Sequence, residues 1–384
     1  MTKLSKYICH DILTGENLSV EVEKGIIVRR NRIDTKLKNL PIIIPSLIDL
    51  QVNGFKGNDI NDRYLEPETV ESLSNSLCEV GIRKYLPTIV TASESDICQK
   101  LTAIRKASKI FPRSKEMIAG VHIEGPAISN KNGPRGAHPK EYIRPATISE
   151  FKRWQLASEN LIKLITIAPE TEGAEQFIEY VTNRKILVSI GHTDAKEADI
   201  DKAVTAGASM STHLGNGVSN CLPRHPNLIW AQLAEDKLMA SFIADRHHLS
   251  KSALKSMLRA KGVEFSILVS DSVKFAGLPS GRYHSFIGGE VDVSDDGRIS
   301  IVDTPYLAGS GTSLLNIVCG FSEFTDLPFK NAVAMSCINP ARLLGVDNSL
   351  KVGSPAHFIL LNADKNCSKL SVADIIFQGR SVLK

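Results

Sequence analysis

The sequence predicts an α/β protein, a (β/α)8 TIM-like barrel carrying a small β-sandwich formed by the two chain ends. Three observations lead there: eight short apolar runs, most of them followed by a stretch of helical periodicity; near-continuous hydrophobicity within those runs; and a different, alternating pattern at both ends of the chain. Strands of a parallel sheet are covered on both faces and so lose the polar alternation of a half-exposed strand. Eight of them favour closure into a barrel over an open sheet.

In chain order, residues 17–30 alternate as short strands. The apolar runs are Ile42–Ile44 leading into Leu47–Leu50, then Tyr85–Val90, Met117–Val121, Leu164–Ile167, Ile186–Ile190, Ala208–Met210, Leu238–Ala244 and Phe265–Val269. Helical stretches lie at 67–80, 94–109, 149–159, 173–183, 196–206 and 250–260, with Ser149 and Ser250 as capping residues. Turn signals at Ser280-Gly281-Arg282, Gly288-Gly289 and Asp295-Asp296-Gly297 mark a hairpin insertion near 280–305. The stretches 352–361 and 374–383 read again as strands. The expected division is residues 1–45 plus 347–384 as the small β-domain and 46–346 as the barrel.

Composition narrows the function classes. Among 384 residues, 46 Lys+Arg against 42 Asp+Glu leave a net charge of +4, with no basic run beyond short pairs. That argues against nucleic acid or an anionic membrane as a partner. Apolar content of 42% and charged content of 23% suit a globular chain with a sizeable core. No apolar run approaches the ~18 residues needed to span a bilayer, and the first residues are too polar for a signal segment. The seven cysteines (9, 78, 98, 221, 319, 337 and 367) are scattered, with no C-x-x-C, as expected of reduced thiols in the cytoplasm.

A (β/α)8 barrel carries its chemistry at the C-terminal ends of its strands. Polar and ionisable residues stand at those places here: Asp49, Gln51 and Asn53 after the first run, His122 and Glu124 after the third, His192 after the fifth, His213 and Asn216 after the sixth, Asp245 and His248 after the seventh, and Asp271 after the eighth. One Glu and two His converging on a barrel mouth suit a divalent transition metal such as zinc with an open position for water. A nearby Asp can then move the proton. Singly, each residue has a plainer reading: a strand-end His as a hydrogen-bonded structural group, Glu124 as a helix cap behind Gly125-Pro126, Asp271 as an N-cap. Their joint occurrence at four strand ends favours a site.

An ordered set of motifs extends the reading along almost the whole chain: Pro45 to Gly54, Leu86-Pro87-Thr88, His122 to Pro126, Gly136-Ala137-His138, Ala168-Pro169-Glu170, Gly191-His192, Thr212-His213-Leu214 with Asn216, Ile243-Ala244-Asp245 with His248, Val269-Ser270-Asp271, Leu307 to Ser310 and Ile338 to Ala341. With these the chain resembles the N-acetylglucosamine-6-phosphate deacetylases, a branch of the amidohydrolase superfamily. The resemblance implies hydrolysis of the N-acetyl group of an amino sugar phosphate, with Glu124, His192 and His213 as ligands of one divalent metal, zinc first and iron, manganese or cobalt as alternatives. It implies Asp271 as the acid/base and His248 as the group that polarises the acetyl carbonyl. His138 would line the sugar pocket, Asn216 with the Gly217 backbone would meet the phosphate, and Arg224 would reach the phosphate from the neighbouring subunit of a homodimer.

Where many amidohydrolases have His-x-His in the first strand, this chain has Gln51 and Asn53, neutral amides that are poor zinc ligands. One metal is therefore expected, with Gln51 bonding water or substrate. Departures bear on the substrate: Gly215 and Gly217 should loosen their loop, Arg246 should add a positive charge beside the pocket, and Lys274 stands in an altered segment after Asp271. The competing readings are a deacetylase of a non-phosphorylated or different N-acyl amino sugar, a non-catalytic scaffold and, weakest, a cyclic amidohydrolase.

Overall fold

A computed structural model describes all residues except 1–3, 36, 38, 286–288, 305, 365–368 and 384. Eight parallel strands form one sheet in strict chain order: Leu47–Val52, Ile82–Val90, Val121–Glu124, Ile162–Ile167, Leu187–Ile190, Met210–Ser211, Met239–Phe242 and Ser266–Leu268. The ring closes just beyond the last strand, where Asp271 N donates to Gln51 O (3.0 Å) and Val52 bridges Ser272 in parallel. Its interior is filled by Ile48, Leu50, Leu86, Leu164, Met210, Ile243, Ile267 and Val269. A larger apolar layer packs the surrounding helices against the outside of the strands. Double burial explains the uninterrupted apolar runs.

The chain ends pair into a separate seven-stranded sheet. Ile42–Pro45 sits near its middle, parallel to Ser5–Asp11 on one side and antiparallel to Phe358–Ala363 on the other. A second core, with Leu18, Val20, Ile27, Ile43, Phe358 and Ile376, belongs to this sheet. The predicted insertion is a three-stranded antiparallel sheet, Gly281–Ser285, Gly289–Val293 and Ile299–Ile301. Residues 286–288 of the insertion, with Gly288 of the turn signal, and Cys367 lie outside the described residues.

Several boundaries shift. The third strand is Val121–Glu124, because Met117 of the predicted run closes a short helix, Pro112–Met117. The sixth is Met210–Ser211 rather than 208–210. Ser250 caps its helix, its hydroxyl accepting from Ala253 N (3.2 Å). Ser149 does not: the cap is Thr147, whose hydroxyl accepts from Glu150 N (3.3 Å), and the Ser149 hydroxyl merely bonds that of Thr147. Helices Leu228–Ala234 and Leu314–Thr325 complete the outer layer and lie outside the predicted segments.

Candidate active site

The third strand delivers Glu124 directly. His192, His213 and Asp271 stand two or three residues beyond the fifth, sixth and eighth strands, where the ladder has ended. All three hold left-handed backbone, with φ of 51°, 30° and 50°. Non-glycine residues occupy that region at a cost, and such strain collects where a side chain must be aimed. Here it turns the three side chains inward over the barrel mouth.

The result is a compact trio. Glu124 Oε1 lies 3.1 Å from His192 Nε2 and 3.1 Å from His213 Nε2, and the two imidazole nitrogens are 3.2 Å apart. All three residues are buried. Ligand atoms around a four-coordinate zinc at ~2.0–2.1 Å stand ~3.3–3.4 Å from one another, so the triangle has the size of one face of such a site. The tautomer agrees. His192 Nδ1 is 2.9 Å from the Pro134 carbonyl, which can only accept. The imidazole therefore carries its proton on Nδ1 and turns a lone pair at Nε2 toward the carboxylate. Facing lone pairs around a buried carboxylate call for a cation or for extra protons. Of these residue types, Glu124, His192 and His213 are the one group among the described residues that could hold a metal ion.

Around the trio stand the groups that can move charge. Gln51 Nε2 donates to Glu124 Oε1 (3.0 Å) from below, so Gln51 braces the carboxylate and is not on the cavity wall. Asn53 Nδ2 donates to Asp271 Oδ1 (2.8 Å). Burial, and then the negative charge of Glu124, push the Asp271 carboxyl up to about 6. His248 Nδ1 is 2.8 Å from Asp245 Oδ2, while Asp245 Oδ1 accepts from the backbone N–H groups of His247 and His248. Burial alone would lower the His248 pKa; the hydrogen bond and charge of Asp245 outweigh it and hold the imidazole above its ordinary value. His138 packs edge-on against His192, ring centroids 4.3 Å apart, and bonds Thr91 Oγ1 (2.8 Å). Burial first, then the neighbouring His192, lower it to about 3, so it stays neutral. His122 faces the barrel interior on Thr166 (2.7 Å) and, among the described residues, joins no ligand cluster.

Glu124, His192, His213, His138, His248 and Asp271 open on one cavity of about 450 Å³, together with Asn216 and Gly217. Arg224 does not line it; this residue is exposed on the segment leading to helix Leu228–Ala234. Two expectations are corrected. Gly217 does not loosen its loop: at φ 59° a Cβ would lie 2.8 Å from His192 Nδ1, so the glycine lets the loop close on that imidazole. Gly215, at φ 95°, is likewise close against Leu249. Arg246 brings no free charge to the pocket, since it turns outward to Glu323 (2.8 Å) and the Phe324 ring.

Three further residues around the site make contacts that the motifs do not announce. Asn53, a poor metal ligand, bonds Asp271 across 218 residues. Asp245 was visible three residues before His248, a spacing that could have suggested the pair. Lys274, noted only as a departure, lies on the cavity wall beside Asp59.

Residues 42–382 match the Amidohydrolase family. The chain is 34% identical over 328 residues to the N-acetylglucosamine-6-phosphate deacetylase of Bacillus subtilis (strain 168), covering 84% of this chain and 81% of that protein. It is 31% identical to the N-acetylgalactosamine-6-phosphate deacetylase of Escherichia coli O157:H7, covering 89% and 88%. Among solved structures, the N-acetylglucosamine-6-phosphate deacetylase of Thermotoga maritima superposes with a TM-score of 0.84 at 26% identity over 99% of both chains. That of Mycobacterium smegmatis gives 0.87 at 22%, a likeness of fold. The chain belongs to the amidohydrolase family and, within it, to the N-acetylglucosamine-6-phosphate deacetylases.

Proposed function

We propose that this chain is a metal-dependent deacetylase that converts N-acetylglucosamine 6-phosphate and water into glucosamine 6-phosphate and acetate. The observation that carries the reading is the Glu124–His192–His213 triangle facing Asp271 and His248 in one cavity. A divalent ion held by Glu124, His192 and His213 would supply Lewis acidity, lowering the pKa of water toward ~7 and polarising a carbonyl oxygen. Two imidazoles and a carboxylate suit zinc, with iron, manganese or cobalt as the other candidates. Gln51 and Asn53 offer only amides where further ligands would be needed, which supports one ion per chain.

The chain's own residues then divide the work. Asp271, with its carboxyl near neutrality and steadied by Asn53, takes a proton from the attacking water. It passes that proton to the amide nitrogen as the C–N bond breaks. His248, kept protonated by Asp245, donates to the acetyl oxygen as negative charge gathers there. His138 forms neutral sugar-pocket wall, and Gln51 fixes the Glu124 carboxylate. Asn216 and the Gly217 backbone receive the phosphate together with Arg224 of a second copy, so the working form is a homodimer. Arg224's exposure outside its own chain's cavity supports delivery from a partner.

No described helix is long and apolar enough to cross a membrane. With free cysteines at 9, 78, 98, 221, 319 and 337, a cytoplasmic setting fits. The test is acetate release from N-acetylglucosamine with and without its 6-phosphate, after loading with zinc, iron, manganese or cobalt. Metal-dependent turnover of the phosphorylated sugar is expected. Turnover indifferent to phosphate would move the reading to a non-phosphorylated N-acyl sugar, and inactivity with every metal would overturn it.

A further inference from the structure

We infer that Lys274 and Asp59 form a specificity-determining pair that reads ring hydroxyls of the amino sugar, an inference that rests on the deacetylase reading above. Lys274 Nζ lies 3.4 Å from Asp59 Oδ2, and the two side chains are only 19% and 16% exposed. Both line the cavity that holds Asp271 and Glu124, and among the described residues Lys274 is the only Lys or Arg on its wall.

The pair is built in. One short segment, 53–59, carries a partner for each residue: Asn53 hydrogen-bonds Asp271, and Asp59 forms an ion pair with Lys274, three residues further on. Gly57 N donates to Lys274 O (2.7 Å), and a Cβ on Gly54 would stand 2.8 Å from Lys274 N, so the two backbones are locked together. Asn61 N donates to Asp59 Oδ1 (2.8 Å) and fixes the carboxylate.

The chemistry of such a pair selects hydroxyls over the phosphate. Ammonium and carboxylate side by side are neutral together, and Asp59 would repel a dianion. Each keeps spare capacity, since an ammonium has three donors and a carboxylate about four acceptor positions. A sugar hydroxyl both donates and accepts, so two adjacent ones can span the pair. A site that hydrogen-bonds a hydroxyl discriminates strongly against a substrate that leaves its buried groups unmatched. N-acetylglucosamine and N-acetylgalactosamine 6-phosphates, the sugars named for the relatives above, differ only in the configuration of one ring hydroxyl.

The experiment measures kcat and KM of metal-loaded wild type, Lys274→Met, Lys274→Arg and Asp59→Asn on both 6-phosphorylated epimers and on the preferred sugar without phosphate. For the preferred epimer, Lys274→Met and Asp59→Asn should each lower kcat/KM by about 10- to 100-fold, the worth of a charge-assisted hydrogen bond, chiefly through KM. The ratio between epimers should shrink, and Lys274→Arg should keep most of it. The loss should be alike with and without phosphate. If wild type deacetylates but the variants preserve the epimer ratio, or lose activity only on phosphorylated sugars, the pair reads no hydroxyl and the deacetylase reading stands. If wild type turns over neither epimer, both fall.

Discussion

The floor of the cavity and its outer loop are built in opposite ways. On the floor, Glu124, His192 and His213 are 2%, 7% and 3% exposed, and each is aimed by a strand end and a local bond. At the outer loop Arg224 is exposed, and its guanidinium has neither hydrogen bond nor ion pair among the described residues. A buried charge must be met by partners or it costs more than the fold can spare. An exposed guanidinium is met by water and can wait for a ligand. The chemistry is thus assembled within one chain, while the proposed phosphate contact is left open to a second copy.

The sharpest way to break the contrast is at the floor. Glu124→Gln replaces the proposed anionic ligand by an amide, so elemental analysis should find the metal gone and deacetylation abolished. Full metal content with normal turnover would remove Glu124 from the ligand set. Next in size, Asp271→Asn should retain the metal while kcat falls by ~10²–10⁴, the worth of general acid–base catalysis. Near-normal turnover would free Asp271 of that role.

At the outer loop, Arg224→Ala should raise KM for the phosphorylated sugar by ~10–100-fold, the worth of a hydrogen bond between ionised groups, with kcat little changed. The sugar without phosphate should be indifferent, and equal losses on both would take Arg224 off the phosphate. A smaller effect is expected at Asp245. Because Asp245 holds the His248 pKa above 6.5, protonated His248 persists as pH rises and is lost only past the raised value. Asp245→Asn leaves burial dominant, so the alkaline fall of kcat/KM should move to lower pH. The same pair stabilises the fold below pH 6.5, a contribution lost as pH rises through the raised value. An unmoved alkaline limb would mean that another group sets it. Least of all, Arg246→Ala should leave kcat and KM unchanged, because its partner is the exposed Glu323 and exposed ion pairs contribute little.

Much of this was legible in one dimension. Strands buried on both faces write themselves as apolar runs, and polar residues a few positions past several of those runs reach the barrel mouth. That is how Glu124, His192, His213, His248 and Asp271 stood out. What misled was local. Met117 is apolar because it packs at the end of a short helix, and the cap before Ile148 is Thr147 rather than its neighbour Ser149. Gly215 and Gly217 read as slack, yet both hold left-handed backbone, and at Gly217 the His192 imidazole leaves no room for a Cβ.

The pattern by itself determined that eight strands exist, which polar residues follow them, and that the first strand lacks imidazoles. Only the tertiary structure decided which of those residues meet. A shared ligand position needs donor atoms within ~3.3 Å of one another, whereas sequence spacing says nothing about distance across a ring. Closure between Gln51 and Asp271, 220 residues apart, brings Asn53 onto the acid/base candidate. A turn that the pattern left unmarked sets Asp59 against Lys274. Arg224 stays outside the cavity, because an exposed loop cation gains more from water than from burial without a counter-charge.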